Sequence, residues 1–238
     1  MTDLPFKTGR GPATRPASLG DLAVYAKGKL PEPPTSVISP PGEYPIDGNA
    51  QYGDCTMAGL DHAIRAWRSL YGPTGTLPTE AQLIAKYLEL SPNDEGLVEA
   101  TLLKLFQTKG LGLFGGKIKA YAPVPPTDIL QIHQAVAFYG VGYLGIICGG
   151  PQQEMFQRGE PWEWVPGQEE DGHCVVATGY TPTGLLVKTW GGEAELTYGY
   201  CAHALEEVWA IISHQMVEHK GDNLGLDLGA LEADLSRA

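Results

Sequence analysis

The chain has 238 residues, 43% of them apolar and 18% charged, enough material to bury a core without help from disulfides or a metal. Its net charge is −12 and its pI about 4.8, and no basic stripe interrupts that acidity. Phosphate backbones would repel such a chain, so no nucleic acid is expected as a partner. No apolar run reaches the roughly 18 residues of a membrane span, and MTDLPFKTGRGPATRPASLG lacks the apolar centre of a secretory leader. A cytoplasmic protein is therefore expected.

The four cysteines, Cys55, Cys148, Cys174 and Cys201, show no CxxC spacing and read as free thiols in a reducing compartment. No pair of histidines has metal-ligand spacing with a third ligand, so neither metal nor cofactor is expected.

Along the chain, residues 1–45 hold nine of the 19 prolines and read as an extended arm with one short helix near Leu19–Lys29. Such an arm is either a disordered leader or a strap around its own domain or a neighbouring subunit. From Asp54, placed to cap it, a helix carries Met57, Leu60, Ile64, Trp67 and Leu70 on one face. Thr79 caps a second helix through about Leu90, and Asp94 a third, ending at Gly110. A fourth, about Thr127–Phe138, passes through Gly140 into a strand, Gly142–Cys148.

Strands then dominate. Residues 174–180 and 184–189 read as a hairpin about Pro182–Gly184, followed by strands at Ala194–Thr197 and Val208–Ser213. After His214, Leu224, Leu228, Leu231 and Leu235 recur at near-helical spacing and can dock on the body or a partner. The fold class is α+β: a mainly helical lobe at 46–126, a mainly antiparallel β lobe at 127–213, and a tail at 214–238.

Cys55 opens the first helix, where unpaired N–H groups and the helix dipole favour a thiolate. A lone cysteine there is more often a small buried apolar residue. His173 opens a strand after Gly172, where its ring can face a cleft while CVVATGY enters the core. His62 reads onto a solvated helix side beside Asp61 and Arg65. Trp162 and Trp164 are either surface anchors or packing.

Together these segments resemble the papain-like cysteine peptidases. Gly48-Asn49-Ala50-Gln51-Tyr52-Gly53-Asp54-Cys55 is similar to that family's stretch in which an amide side chain precedes the nucleophilic cysteine by six residues. Gly172-His173 with the apolar run to Gly179-Tyr180 resembles its base strand, and Lys188-Thr189-Trp190-Gly191 its Lys-Asn-Ser-Trp-Gly turn. The resemblance covers roughly residues 46–212. It implies Cys55 as nucleophile, His173 as base, Asn49 beside the oxyanion where the family has Gln, and Thr189 nearest the family's orienting Asn. Asp171 is a second candidate for orienting His173, and Trp190 either shields the base or is a core aromatic. The implied function is a thiol hydrolase cleaving peptide or amide bonds, with a protein or peptide substrate. The alternative is a weak or inert papain-fold structural protein, such as a phage virion component that uses its arms to assemble with its own or other subunits.

Overall fold

Packing of one helix against one long strand sets the architecture. The computed structural model describes residues 6–73, 75–168 and 170–238. Helix α1, Cys55–Tyr71, buries nearly its whole length, from Cys55 to Ile64 and again at Ala66 and Trp67. Strand β3, Asp171–Tyr180, is buried from His173 onward, so its apolar run lies within the sheet and under the helix. Gly59 allows close approach: a Cβ there would lie 2.9 Å from Tyr143 and 3.1 Å from the Cys174 sulfur. Two hydrogen bonds fix α1 from either end, Tyr143 Oη to Thr56 O at 2.8 Å and Trp67 Nε1 to Tyr139 O at 3.1 Å. Each lets a large aromatic residue bury its ring without stranding its polar atom.

The remaining helices before the sheet are α2, Glu80–Leu90, and α3, Glu99–Thr108. Thr79 and Gln82 close α2 with a reciprocal capping box. The third helix starts later than Asp94, because Asp94 and Gly96 hold positive φ of 56° and 77° and turn the chain through residues 94–98 first.

Six strands form one antiparallel sheet in the order β1-β6-β2-β3-β4-β5. They are β1, Ile118–Val124; β2, Gly142–Cys148; β3; β4, Gly184–Thr189; β5, Gly192–Thr197; and β6, Leu205–Ser213. Between them lie α4, Ile129–Tyr139, α5, Gly150–Arg158, and α6, Tyr198–Ala204. Strand β1 falls in the stretch read as helical lobe, yet it pairs with β6 at the sheet edge.

The segment 6–45 wraps its own body. Val37 bridges Tyr180, Tyr180 Oη donates to Pro34 O at 2.8 Å, and Gln134 Nε2 donates to Pro31 O at 3.0 Å. Its helix is a single 3-10 turn, Leu22–Tyr25. The C-terminal residues form α7, His214–Lys220, and α8, Leu228–Leu235, with Leu224, Leu231 and Leu235 buried on the body. The two ends meet, because Tyr25 Oη donates to Asp234 Oδ2 at 2.8 Å.

Candidate active site

Cys55 is the first residue of α1, and its thiol lies against β3 with the Cys174 backbone N–H directed at it. His173 precedes Cys174, so the residue next to His173 on the strand is the one whose backbone faces the Cys55 thiol. His173 Nε2 lies 2.8 Å from Thr189 Oγ1, while Nδ1 has no hydrogen-bond partner among the described residues. An Nε2 engaged by a hydroxyl leaves Nδ1 as the nitrogen able to take a proton. Thr189, at the end of β4, holds the ring. Asp171 does not: its Oδ2 accepts from Thr8 Oγ1 and its Oδ1 from Gly172 N at 2.9 Å.

Trp190 follows in the tight turn to β5 at φ 46°, a left-handed conformation costly for a bulky side chain. That conformation lays its ring on His173, centroids 4.6 Å apart and 26° from parallel. Trp162, fully buried, packs at 5.3 Å on Trp190, so it belongs to this aromatic wall. Trp164 stacks on His203 instead, away from the site.

Asn49 is buried, and its Nδ2 donates to Asp54 Oδ1. Asp54 therefore turns toward Asn49 and makes no side-chain cap on α1. Burial pushes the Asp54 carboxyl up to about 8, against the lowering effect of the Asn49 bond. His62 is likewise buried, not solvated: its Nε2 lies 2.8 Å from Pro45 O and 3.8 Å from Asp47 Oδ2, and Asp61 beside it is buried too. Arg65 carries its charge inward to pair with Asp61, which is why the helix side looks solvated in sequence.

The arm read from sequence as leader or strap is a strap, and part of it lies across the site. Residues 6–11 run through the cleft between the Asn49–Gly53 loop and the 94–98 turn on one side and the start of β3 on the other. Lys7 N donates to Asn49 O at 2.7 Å, Gly9 N and Arg10 N both reach Gly172 O at 3.0 Å, and Gly11 N reaches Leu97 O at 2.8 Å. Backbones approach so closely that a Cβ on Gly9 would lie 2.3 Å from Gly53 O. Phe6 stacks on Trp190, centroids 4.7 Å apart and 9° from parallel, with Phe156 edge-on at 5.6 Å. Gln153 clamps the Phe6 backbone through both its amide atoms, at 3.2 Å each.

Closure sets the electrostatics. Cys55 is 1% exposed and His173 fully buried. Burial pushes the Cys55 thiol up to about 12, outweighing the Cys174 N–H that lowers it. Burial pulls His173 down to about 3, with the charges of Arg10 and His62 acting the same way. Both shifts favour the neutral thiol and neutral imidazole over the thiolate–imidazolium pair.

This helix-and-sheet arrangement is a papain-like fold. Among solved structures, the chain is similar to xylellain, a cysteine protease from Xylella fastidiosa, at 15% identity and a TM-score of 0.69, over 88% of this chain and 97% of that one. It is also similar to a cysteine protease of Carica candamarcensis, at 18% identity and TM-score 0.53, over 76% and 99% of the two chains. A third is the cysteine protease and lectin-like domain pair of a surface layer associated protein of Clostridium difficile, at 11% and 0.60, over 89% and 57%. No family model and no curated protein matches the sequence. At these identities the likeness establishes the fold, and none of it favours a virion role. No helix among the described residues is long and apolar enough to cross a membrane.

Proposed function

We propose that the chain is a thiol hydrolase that cleaves peptide or amide bonds through an acyl-enzyme on Cys55, with residues 6–11 as a strap that must leave the cleft first. The supporting observation is the set of contacts about His173: Thr189 on Nε2, Trp190 over its face, Nδ1 free, and Cys55 at the adjacent helix start.

With the strap withdrawn, water and substrate enter and the desolvation that holds both groups neutral falls away. The Cys55 proton passes to His173 Nδ1, and the sulfur attacks the scissile carbonyl carbon. The C–N bond breaks as the imidazolium returns that proton to the leaving amine, leaving a thioester. Water then attacks the thioester, giving its proton through His173 back to the Cys55 sulfur. The Cys55 backbone N–H and the second Nδ2 hydrogen of Asn49 are the oxyanion donors.

A second reading, a papain-fold body that stays closed and inert, is favoured by the filled cleft itself. Iodoacetamide alkylation at pH 7, mapped by peptide mass analysis, separates the two. Wild type should label slowly at Cys55 and Phe6→Ala faster, with His173→Ala cancelling the gain. If Cys55 in Phe6→Ala reacts no faster than an unperturbed thiol, the hydrolase reading fails and the inert reading stands.

A further inference from the structure

The chemistry above leaves a buried charged pocket beside the reactive pair unexplained. Arg10 enters it from the strap. Its Nη1 lies 2.9 Å from Glu207 Oε1, its Nη2 pairs with Glu206, and its Nε is buried without a partner among the described residues. Glycines on the sheet make the room. A Cβ on Gly145 of β2 would lie 2.6 Å from Glu207 Cγ and 2.9 Å from Arg10 Cδ, and one on Gly172 of β3 would lie 2.5 Å from Arg10 O.

A third carboxylate is held in the pocket. Glu99, at the start of α3, is fully buried, and its carboxyl lies among Glu207, Arg10, Cys174 and Trp209. Trp209 Nε1 orients Glu207 from behind at 3.2 Å. A cavity of about 170 Å³, lined by Thr14, Arg15, Glu206, Glu207 and Trp209, extends from the same place. The residues about the Arg10 guanidinium come from α3, β2, β3 and β6, while residues 13–15 of the arm line the adjoining cavity. Arg10 comes from a segment that belongs to no named helix or strand and pairs with the body through a bridge to Leu97.

The strap's main chain makes contacts that an extended peptide can make when glycine flanks its central residue, since a Cβ on Gly9 would lie 2.3 Å from Gly53 O and one on Gly11 2.8 Å from Val98 Cγ2. Gly172 O accepts two N–H groups, Leu97 O accepts Gly11 N, and Leu97 N donates to Gly9 O at 3.1 Å. Beyond the flanking glycines, selectivity rests with the Arg10 side chain. We propose that this pocket is a specificity site for a basic side chain, arginine above all, of a peptide substrate, and that Arg10 fills it in cis. The inference rests on the hydrolase reading for the word substrate, but not for the binding. A guanidinium suits the site because its planar fork can engage two carboxylates at once, as it does here with Glu206 and Glu207.

The experiment uses the full-length Arg10→Ala chain and two readouts. In the first, thiol-reactive peptidyl ketones carrying arginine, citrulline or leucine compete for Cys55. The arginyl probe should label at least about tenfold faster, and Glu206→Gln with Glu207→Gln should remove that preference, so that the three probes label equally. In the second, calorimetry compares acetyl-Gly-Arg-Gly-amide with its citrulline counterpart, which keeps the shape and loses the charge. The arginyl peptide should bind at least about tenfold tighter. If Cys55 labels well but the three probes do so equally, the pocket is not selective and the hydrolase reading survives. If Cys55 does not label, that reading falls and the calorimetric comparison alone decides the pocket. Should Arg10→Ala fail to fold, the wild-type chain, with strap and probe competing, must show the same order at lower occupancy; equal binding there overturns the inference.

Discussion

Replacing Thr189 by valine tests the contact that orders the site. The two side chains are nearly isosteric, so the change opens no cavity and removes one hydroxyl. That hydroxyl is the partner of His173 Nε2 at 2.8 Å, and Nδ1 has none among the described residues, so the variant leaves a buried imidazole with neither nitrogen engaged by them. A buried polar group deprived of its partner costs about 1–3 kcal/mol. For a chain of this size each kcal/mol moves Tm by about 2–4 °C, so a 2 kcal/mol loss lowers it by roughly 4–8 °C. Differential scanning calorimetry measures the shift, and Thr189→Ser, which keeps the hydroxyl, should recover most of it. In the strap-loosened background, Thr189→Val should also slow Cys55 alkylation, since the ring is no longer held. A Thr189→Val protein as stable as wild type, with Thr189→Ser no better, would refute the reasoning.

Phe6→Ala removes a stacked and an edge-on aromatic contact, worth about 1–2 kcal/mol together, and should speed Cys55 alkylation by roughly 5–30-fold; an unchanged rate would mean that the strap does not gate the thiol. Acid should destabilise the fold through its buried histidines. His173 is pulled down to about 3 and His62 is lowered, both chiefly by burial, so the unfolded chain binds protons first as pH falls below about 6.5. Each should cost up to about 1.4 kcal/mol per pH unit, in the His173 case until pH nears 3, and denaturant melts of His62→Gln should show a shallower acid slope. Asp54 has the opposite sign: its folded value of about 8 lies above the unfolded one, so stability is lost as pH rises from about 4 to 8. Asp54→Asn should gain on wild type across that window, and parallel pH curves would exclude a buried neutral carboxyl.

The parts of the site that are contiguous in sequence were legible there. The Cys55 helix start, the Gly172-His173 strand and the Thr189-Trp190 turn each carry a local pattern; in the structure Thr189 and Trp190 lie on His173, and the Cys174 backbone faces Cys55. That the arm could wrap its own domain was one of two readings of the sequence; where it seats was not legible, because its contacts join residues far apart in sequence, Phe6 to Trp190 and Arg10 to Glu207. No periodicity encodes such pairings. Strand β1 was missed because IKAYAPV carries a lysine, paired with Glu232, and a proline at the sheet edge. Helix α5 was missed because its two buried residues are Gln152 and Gln153, which leaves no apolar stripe to read.

The Tyr25–Asp234 contact fixes the strap downstream of its working part, to the far end of the chain. If residues 6–11 leave the cleft, they remain leashed to Tyr25 through residues 12–24. A segment so tethered competes at an effective concentration of the order of millimolar or above. Free peptides far below that level would rarely displace it, however well they fit. Concentrated substrates, or ones held nearby by a second attachment, would gain entry reversibly, whereas a single cut between Gly11 and Leu19 would sever the leash and make opening permanent.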